Sequence, residues 1–423
     1  MSTPSRPPGA RPARLSVENL EDRTTPTFLA RPGGVEQLAV NGVSVPTGGL
    51  SIAAGDLIPD FSPSTVFTAQ NEYVTGTGPG TLGTVRVWRL NGTVVGNPEP
   101  VVSFVPFAGF TGGINVAVGD VTGDGQLEII AAVAGNGPPH VKVFSANGTE
   151  LGSFYAFDPG FRGGVNIAVG NVLGGIAGGG YPGGTVSKNF KQEIIVGAAS
   201  GGSPHVVVTD AAGTILRSFL AFDLGYRGGV TVAAGSIDTT RSANFATTGV
   251  DTNAYDEIIV GSATSSAHVK AFNVSTGEIV QRLSFFAFDP ATSQGVTLAA
   301  GSTDGVRGAE IYVGQITPNL GTAPQVKVFD GRGLPELTFT PYPAGYTRVV
   351  NMVTGYLTPQ SRGLAYYDSE DDDSATFAFL QNGNPDFVLQ DLALVTGDGS
   401  FFQEPRFYIG LGLNGTPAGG FGP

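Results

Sequence analysis

The sequence predicts an all-β chain folded as one seven-bladed β-propeller of four-stranded antiparallel blades. Three observations lead to this fold class: strand-like motifs recur along the chain, no stretch shows a helical period, and the parts of the last repeat stand at opposite ends. The 423 residues include 65 Gly and only 13% charged side chains, a composition that suits short strands and tight turns.

The first recurring motif is a short apolar strand that ends in glycine. We interpret it as apolar on both faces, which is typical of a strand buried near the axis of a propeller. Its seven copies predict seven inner strands, at residues 50–55, 114–119, 165–170, 230–235, 296–301, 350–355 and 392–397.

Two further strand motifs and a turn follow the inner strands. A strand of the type E-I-I-V-G stands at 72–76, 128–132, 193–197, 257–261 and 310–314, with weaker copies at 364–368 and 406–410. A strand with one buried and one exposed face stands at 85–88, 141–144, 206–209, 269–272, 326–329 and 376–379. The glycine of a hairpin turn follows this strand, at 92, 148, 213, 277, 333 and 383. The three strand motifs and the strand after the turn therefore predict four strands in each unit.

The last repeat is divided between the two ends of the chain. Its alternating strand and turn are missing after 406–410, but similar motifs stand at 35–39 and 41–42. We therefore expect a split blade, with inner strands from about 391–413 and outer strands from about 28–46. Pairing the termini closes the ring and removes an exposed sheet edge. The alternative is six blades plus an extra strand pair. The propeller domain spans 28–423, after a Pro- and Arg-rich segment at 1–27 that is expected to be a disordered, leader-like export segment.

Charge and composition exclude several classes of partner. The net charge of −13 and pI of about 4.6 repel nucleic acid and anionic membranes, so neither is expected as a partner. The absence of cysteine excludes disulfides, thiolate zinc sites and cysteine nucleophiles. The sequence contains no run of about 18 apolar residues, so no transmembrane segment is predicted. The oligomeric state stays open.

Two segments resemble known families. Residues 112–132, GGINVAVGDVTGDGQLEIIAA, resemble the FG-GAP or integrin-α-type (VCBS-like) propeller repeat, and the resemblance extends over about 28–423. It implies a Ca²⁺-binding loop between the first two strands of a blade. Residues 14–28, RLSVENLEDRTTPTF, resemble the leader-like segment of planctomycete surface proteins, which implies an extracellular or cell-envelope location.

The best candidate metal site is the loop of the second unit. Its alternating polar residues offer the oxygen ligands that Ca²⁺ prefers, and the alternative is a metal-free hairpin loop rich in Asp. The predicted ligands of one structural Ca²⁺ are Asp120, Thr122, Asp124, Gln126 and Glu128. Thr122 and Glu128 depart from the family pattern. A weaker candidate in the fifth unit comprises Ser302, Asp304 and Glu310.

The segments between blades offer the candidate ligand-binding residues. Arginines follow aromatic residues in glycine-rich connectors, on the face opposite the Ca²⁺ loops, and such a surface suits a sugar or a protein loop. The predicted ligand-binding residues are Phe161, Arg162, Tyr226, Arg227, Tyr346 and Arg348. The alternative is that each arginine pairs with a carboxylate of a blade.

The three histidines occupy one repeat position, ahead of the third strand: His140, His205 and His268. Because each belongs to a different blade, we expect them to lie around the ring, each holding the loop between the second and third strands of its blade. They are not expected to converge on a metal.

No catalytic motif stands out, so we expect no enzymatic activity. The chain is predicted to be an extracellular or cell-surface binding module for carbohydrate or protein, with structural calcium. Two alternatives stay open: a non-catalytic envelope scaffold or surface-layer component, and an enzyme that acts on polysaccharide through carboxylates of different blades.

Overall fold

The computed structural model describes residues 50–58, 72–88, 100–174, 191–238, 255–291, 294–301, 308–316, 325–339, 350–355, 376–381, 392–396 and 407–409. These residues form β-strands, turns and loops, and none of them is helical. The strands are grouped in four-stranded antiparallel sheets, as the sequence predicts.

Five consecutive blades lie between Leu50 and Phe339. In each blade the strands pair in chain order, from the inner strand to the outer edge. The first blade contains β1 (Leu50–Gly55), β2 (Glu72–Thr77), β3 (Val85–Trp88) and β4 (Val102–Phe104), and the second contains β5 (Ile114–Gly119), β6 (Glu128–Val133), β7 (His140–Phe144) and β8 (Glu150–Tyr155). The third contains β9 (Val165–Gly170), β10 (Glu193–Ala198), β11 (His205–Thr209) and β12 (Ile215–Leu220). The fourth contains β13 (Val230–Gly235), β14 (Glu257–Ser262), β15 (His268–Asn273) and β16 (Val280–Phe286), and the fifth contains β17 (Val296–Gly301), β18 (Glu310–Gln315), β19 (Val326–Phe329) and β20 (Pro335–Phe339).

The prediction of seven blades is wrong. After the five blades comes one further four-stranded sheet, formed by β21 (Val350–Gly355), β22 (Thr376–Gln381), β23 (Leu392–Thr396) and β24 (Phe407–Ile409). The motif at 392–397, expected to be a seventh inner strand, supplies the third strand of this sheet. Its residue Leu394 pairs with Ala378 of β22 and with Ile409 of β24.

The error has a physical cause. An antiparallel ladder is made by backbone groups, so an apolar strand motif does not specify its partner. The motif at 376–379, expected as a third strand, pairs directly with β21, where Met352 is opposite Phe379. The sequences expected for the sixth and seventh blades therefore combine in one sheet. The motif at 364–368 and the expected outer strands at 28–46 lie outside the described residues.

The inner strands form a ring. Each of β1, β5, β9, β13 and β17 packs beside the inner strand of the next blade, and β21 packs beside both β17 and β1. Adjacent blades share their hydrophobic cores: Val143 of the second blade clusters with Val165 and Ile194 of the third. Burial of these apolar side chains between blades is the main stabilising term of the ring.

The second strand of each blade is the most deeply buried element, which corrects the sequence analysis. Every residue of β2, β6, β10, β14 and β18 is buried. The inner strands are only partly buried, and in β9 the apolar residues Ile167, Ala168 and Val169 are also half-buried. The second residue of each inner strand is polar: Ser51, Asn115, Asn166, Thr231, Thr297 and Asn351.

These polar side chains connect neighbouring inner strands. Ser51 Oγ donates a hydrogen bond to the Ile114 carbonyl at 2.7 Å, and Asn115 Nδ2 donates to the Val165 carbonyl at 2.8 Å. The same contact recurs from Asn166 to Val230 at 2.7 Å and from Thr231 to Val296 at 3.0 Å. The polar residue at the second position of the inner strand thus stabilises the contact between neighbouring blades. This role cannot be recognised from the residue type alone.

Candidate functional site

The loop from Asp120 to Glu128 connects the first two strands of the second blade. Asp120, 5% exposed, accepts hydrogen bonds from the backbone N–H groups of Gly123 at 2.6 Å and Gly125 at 2.9 Å. Asp124 is exposed and accepts one from the Gln126 N–H at 2.8 Å. These side-chain contacts to the backbone are typical of Asx turns, and they make the loop compact.

Glu128 closes the loop from the start of β6. It is 2% exposed, and its Oε2 accepts hydrogen bonds from the backbone N–H groups of Val121 at 2.9 Å and Thr122 at 3.1 Å. The Thr122 hydroxyl lies 3.3 Å from Oε1. Burial raises the pKa of Glu128, the two backbone N–H groups oppose this effect, and the nearby carboxylates of Asp124 and Asp120 raise the pKa further.

The geometry of the three carboxylates fits one cation. Asp120, Asp124 and Glu128 each offer an oxygen within 4.8 Å of the other two. Two oxygens that bind one Ca²⁺ at about 2.3–2.6 Å lie at most about 5.2 Å apart, so this spacing is compatible with shared coordination. Thr122 and Gln126 lie in the same loop, as the sequence predicts.

The glutamate that begins each second strand has a structural role that was not predicted from the sequence. Glu72 accepts hydrogen bonds from Leu57 N at 2.9 Å and Ile58 N at 3.0 Å, although its blade has no acidic loop of the family pattern. Glu193 does the same for Val172 N at 3.0 Å and Leu173 N at 3.2 Å. Its recurrence in the E-I-I-V-G motif was the available signal. Glu128 thus has a loop-capping role in addition to any role toward a metal.

The weaker candidate site is described only at one residue. Glu310 is 6% exposed, and the hydroxyl of Tyr312 lies 3.3 Å from its Oε2. Ser302 and Asp304 lie outside the described residues. Glu310 occupies the same position in its blade as Glu128 and Glu193, at the start of the second strand.

The connectors contact the loops between the second and third strands of the preceding blade. The N–H of Gly137 donates to the Arg162 carbonyl at 3.2 Å, and the N–H of Gly201 donates to the Arg227 carbonyl at 2.9 Å. We call the surface formed by residues 158–163 and 223–228 the connector face. The structure thus places Arg162 and Arg227 at equivalent positions of neighbouring connectors.

Both arginines are exposed and fold back on their own connector. Nη1 of Arg162 donates to the Pro159 carbonyl, and Nη1 of Arg227 donates to the Leu224 carbonyl and, at 3.2 Å, to the Tyr226 carbonyl. In the part of the chain that the structure describes, neither guanidinium forms an ion pair. Hydrogen bonds from Nη1 therefore fix the position of each guanidinium, and the other nitrogens of the guanidinium retain N–H donors for a ligand.

The aromatic residues beside the arginines are half-buried. The phenol oxygen of Tyr226 donates to the Thr264 carbonyl at 2.7 Å and accepts from the Thr264 N–H at 3.1 Å, so it joins two blades. The ring of Phe161 packs close to Gly163 and Gly202, where a Cβ atom would lie 2.3 Å and 3.0 Å from its Cζ. Both residues thus support the connector face. Tyr346 and Arg348 lie outside the described residues.

The three histidines are separate parts of three blades. Each begins a third strand, and its Nε2 lies 2.8 Å from a serine hydroxyl of the fourth strand: Ser153 for His140, Ser218 for His205 and Ser284 for His268. Connector phenylalanines pack against the imidazoles, with Phe157 5.0 Å from His205 and Phe222 5.3 Å from His268 between ring centroids. The histidines hold the outer strands and the connectors rather than the loop that precedes them.

No helix of the described residues is long and apolar enough to cross a membrane.

No protein-family model matches the sequence, and neither does any curated protein. The chain is similar to a fungal lectin from Aleuria aurantia, described as a six-bladed β-propeller with a novel fucose recognition mode, at 12% identity and a TM-score of 0.42 over 88% of this chain and 98% of the lectin.

Two further structures are also similar. Rhamnogalacturonan lyase YesW is 13% identical, with a TM-score of 0.38, over 89% of this chain and 69% of the lyase. The Vibrio cholerae biofilm matrix protein Bap1 is 14% identical, with a TM-score of 0.36, over 77% of this chain and 43% of Bap1. It is the order of the strands in the four-stranded sheets, together with the ring of inner strands, that identifies this chain as a β-propeller.

Proposed function

We propose that the chain is an extracellular or cell-surface module that binds carbohydrate through its connector face and has no catalytic role. The observation that carries the proposal is the pair of exposed arginines, Arg162 and Arg227, at equivalent positions of adjacent connectors. Each is anchored by a backbone carbonyl, and neither pairs with a carboxylate among the described residues. An anchored guanidinium presents several donors in a fixed fork, which suits a ligand rich in oxygen atoms.

The surroundings of the arginines favour a carbohydrate over a nucleic acid. The chain has a net charge of −13, which disfavours association with a polyanion such as nucleic acid. The connectors are rich in glycine, and their aromatic rings are held in place by Thr264 and by the loop glycines, so the surface is ordered before a ligand arrives. Order before binding reduces the entropic cost of association. The leader-like segment at 14–28 supports a location outside the cytoplasm.

We also propose membership of the FG-GAP family and a structural Ca²⁺ in the loop at 120–128. The fit of the three carboxylates to one cation supports both proposals. Asp120, Asp124 and Glu128 would hold the ion, with Thr122 and Gln126 in the same loop. Bound Ca²⁺ would offset most of the charge of three carboxylates that lie close together, one of which is exposed. The ion would therefore stabilise the folded blade.

Calcium is expected to raise the melting temperature of the native chain above its value in chelator. Binding to the folded state alone contributes about 1.4 kcal/mol at a Ca²⁺ concentration ten times the dissociation constant. Asp124→Asn keeps the hydrogen bond to Gln126 but removes the exposed charge, so this variant is expected to lose the shift. Differential scanning calorimetry measures both.

The matched control for the calcium experiment is Asp330→Asn. Asp330 also accepts backbone hydrogen bonds in a turn, from Arg332 N at 2.9 Å and Leu334 N at 2.7 Å. It lies in the hairpin of the fifth blade. The Asp330→Asn variant is therefore expected to show the same calcium-dependent increase in melting temperature as the native chain. Equal melting temperatures of the native chain in calcium and in chelator would remove the loop from consideration as a metal site.

Replacing both connector arginines by alanine is expected to weaken carbohydrate binding by at least about tenfold, because arginine is enriched among the few residues that carry most of the binding energy of an interface. The measurement is isothermal titration of an oligosaccharide selected from a panel that includes neutral, uronate-containing and cell-wall glycans. Arg332→Ala, an exposed arginine in a hairpin turn, is the control and should bind like the native chain. Unchanged affinity of the double variant would place the binding surface elsewhere.

A further inference from the structure

Stacked aromatic groups recur on the outer strands of the second and fourth blades. In the second blade, the ring of His140 lies between Phe107 and Tyr155, with centroid distances of 5.0 Å and 4.5 Å. In the fourth blade, the ring of His268 lies 5.3 Å from Phe222 and 4.5 Å from Phe286. We call each set of three rings a rim column, because its last member lies on the outermost strand of the blade.

The last ring of each rim column is exposed. Tyr155 is 49% exposed and Phe286 is 53% exposed, although both end a strand that is otherwise fixed by pairing. The histidine beside each ring is already held by a serine hydroxyl at 2.8 Å and by a connector phenylalanine. The exposed aromatic surface therefore adds little to the fold. An exposed aromatic ring beside hydrogen-bonding groups offers a ligand an apolar face next to polar groups.

Polar groups that can recognise hydroxyls lie next to the exposed rings. Tyr155 is opposite His140 on the paired strand, and Ser153 is opposite Lys142, so these residues share one face of the outer half of the blade. The fourth blade repeats the arrangement with Phe286 opposite His268 and Ser284 opposite Lys270. A serine hydroxyl both donates and accepts hydrogen bonds, and a neutral imidazole does the same through its two nitrogens.

The histidines of both rim columns are uncharged, and the lysine of the second blade is compensated by a carboxylate. Burial lowers the pKa of His140 and of His268, so both rings are neutral at neutral pH. The ammonium of Lys142 lies 2.8 Å from the carboxylate of Glu150, which compensates its charge. The ammonium of Lys270 donates to the Ala221 carbonyl at 3.0 Å and lies 5.1 Å from the Phe222 centroid.

We propose that the rim columns of the second and fourth blades each bind a neutral sugar ring of a polysaccharide, which stacks on Tyr155 or Phe286 and exchanges hydrogen bonds with the adjacent His–Ser pair. A sugar ring presents an apolar face of C–H groups and an edge of hydroxyls, which matches an aromatic ring beside uncharged polar groups. Two sites on one molecule increase the affinity for a polymer over that for a single sugar. These sites are separate from the arginines of the connector face and do not depend on them.

The third blade provides a natural comparison. It keeps His205, Ser218 and Phe157, but Leu220 replaces the exposed aromatic residue and is 42% exposed. Val207 stands opposite Ser218, where the other two blades have a lysine. The His–Ser pair is thus retained, while the aromatic ring and the lysine are absent. Leu220→Ala therefore removes exposed apolar surface from an equivalent position without removing a ring, which makes it a matched control.

The test is binding of neutral oligosaccharides (glucan, mannan, galactan and xylan fragments) to the full chain, followed by isothermal titration of those that bind. Tyr155→Ala/Phe286→Ala is expected to lose about tenfold or more in affinity, since truncation of an aromatic contact residue commonly has an effect of this size. Tyr155→Phe, which keeps the ring, and Leu220→Ala are expected to bind like the native chain. Unchanged melting temperatures establish that each variant is folded.

Two results would overturn the rim columns as sugar sites. One is that the native chain binds none of the neutral oligosaccharides. The other is that Tyr155→Ala/Phe286→Ala binds them as tightly as the native chain. Measuring Tyr155→Ala/Phe286→Ala and Arg162→Ala/Arg227→Ala separately and combined distinguishes the rim columns from the connector face. If only the arginine substitutions reduce the affinity for neutral oligosaccharides, the connector face is supported and the rim columns are rejected.

Discussion

Glu193→Ala is expected to lower the free energy of unfolding by about 3 kcal/mol, because it leaves one buried and one half-buried backbone donor without an acceptor. The Glu193 carboxylate is 8% exposed and accepts the N–H groups of Val172 at 3.0 Å and Leu173 at 3.2 Å. Val172 is fully buried, so water does not replace the lost oxygen at its N–H. The midpoint of urea unfolding measures the loss.

Two further variants separate capping from charge. Glu193→Gln retains one acceptor oxygen and is expected to be less destabilising than Glu193→Ala. Glu150→Ala removes a carboxylate whose side chain is 46% exposed and which pairs with Lys142 on the surface, so its effect should stay below about 1 kcal/mol. If Glu193→Ala and Glu150→Ala had equal effects, the glutamates of the second strands would not be capping residues.

Gly229→Ala is expected to destabilise the chain by about 2–5 kcal/mol. Gly229 has a φ of +78°, a left-handed conformation that alone costs an alanine roughly 1–2 kcal/mol. An added Cβ would also lie 2.5 Å from the backbone carbon of Ala199 and from the nitrogen of Ser200, in the preceding blade. Relief of this overlap requires the two blades to separate, which adds about 1–3 kcal/mol.

The same connector supplies the control for Gly229. At Gly225 an added Cβ meets no atom within 4 Å, and the backbone there is not left-handed. Gly225→Ala is therefore expected to leave the urea midpoint nearly unchanged. Comparable losses for the two variants would mean that close packing of the connector on the preceding blade does not limit the spacing of the blades.

Most strands of the five blades could be predicted because each combines a periodic pattern with a turn residue. The hairpin glycines Gly148, Gly213, Gly277 and Gly333 have φ values between +78° and +88°, as the turn prediction requires. The same reasoning failed after β20. Strand motifs there are weaker copies, and backbone pairing does not distinguish a first strand from a third strand with a similar apolar pattern.

The candidate site was less predictable than the fold because one residue type serves two purposes. Glu128 satisfies a metal-ligand spacing in sequence, but Glu72 and Glu193 show that a glutamate at this position caps a loop in other blades. The polar second residues of the inner strands were overlooked for a similar reason. Their hydrogen bonds run to carbonyls of the next blade, some 50 to 65 residues away along the chain.

Carbohydrate binding is the central claim, and isothermal titration of the native chain against the glycan panel tests it most directly. We expect saturable binding of at least one oligosaccharide, reduced by Arg162→Ala/Arg227→Ala and unaffected by Arg332→Ala. Failure of the native, folded chain to bind any glycan of the panel would contradict the claim and would direct the search to a protein partner or to a role in the cell envelope.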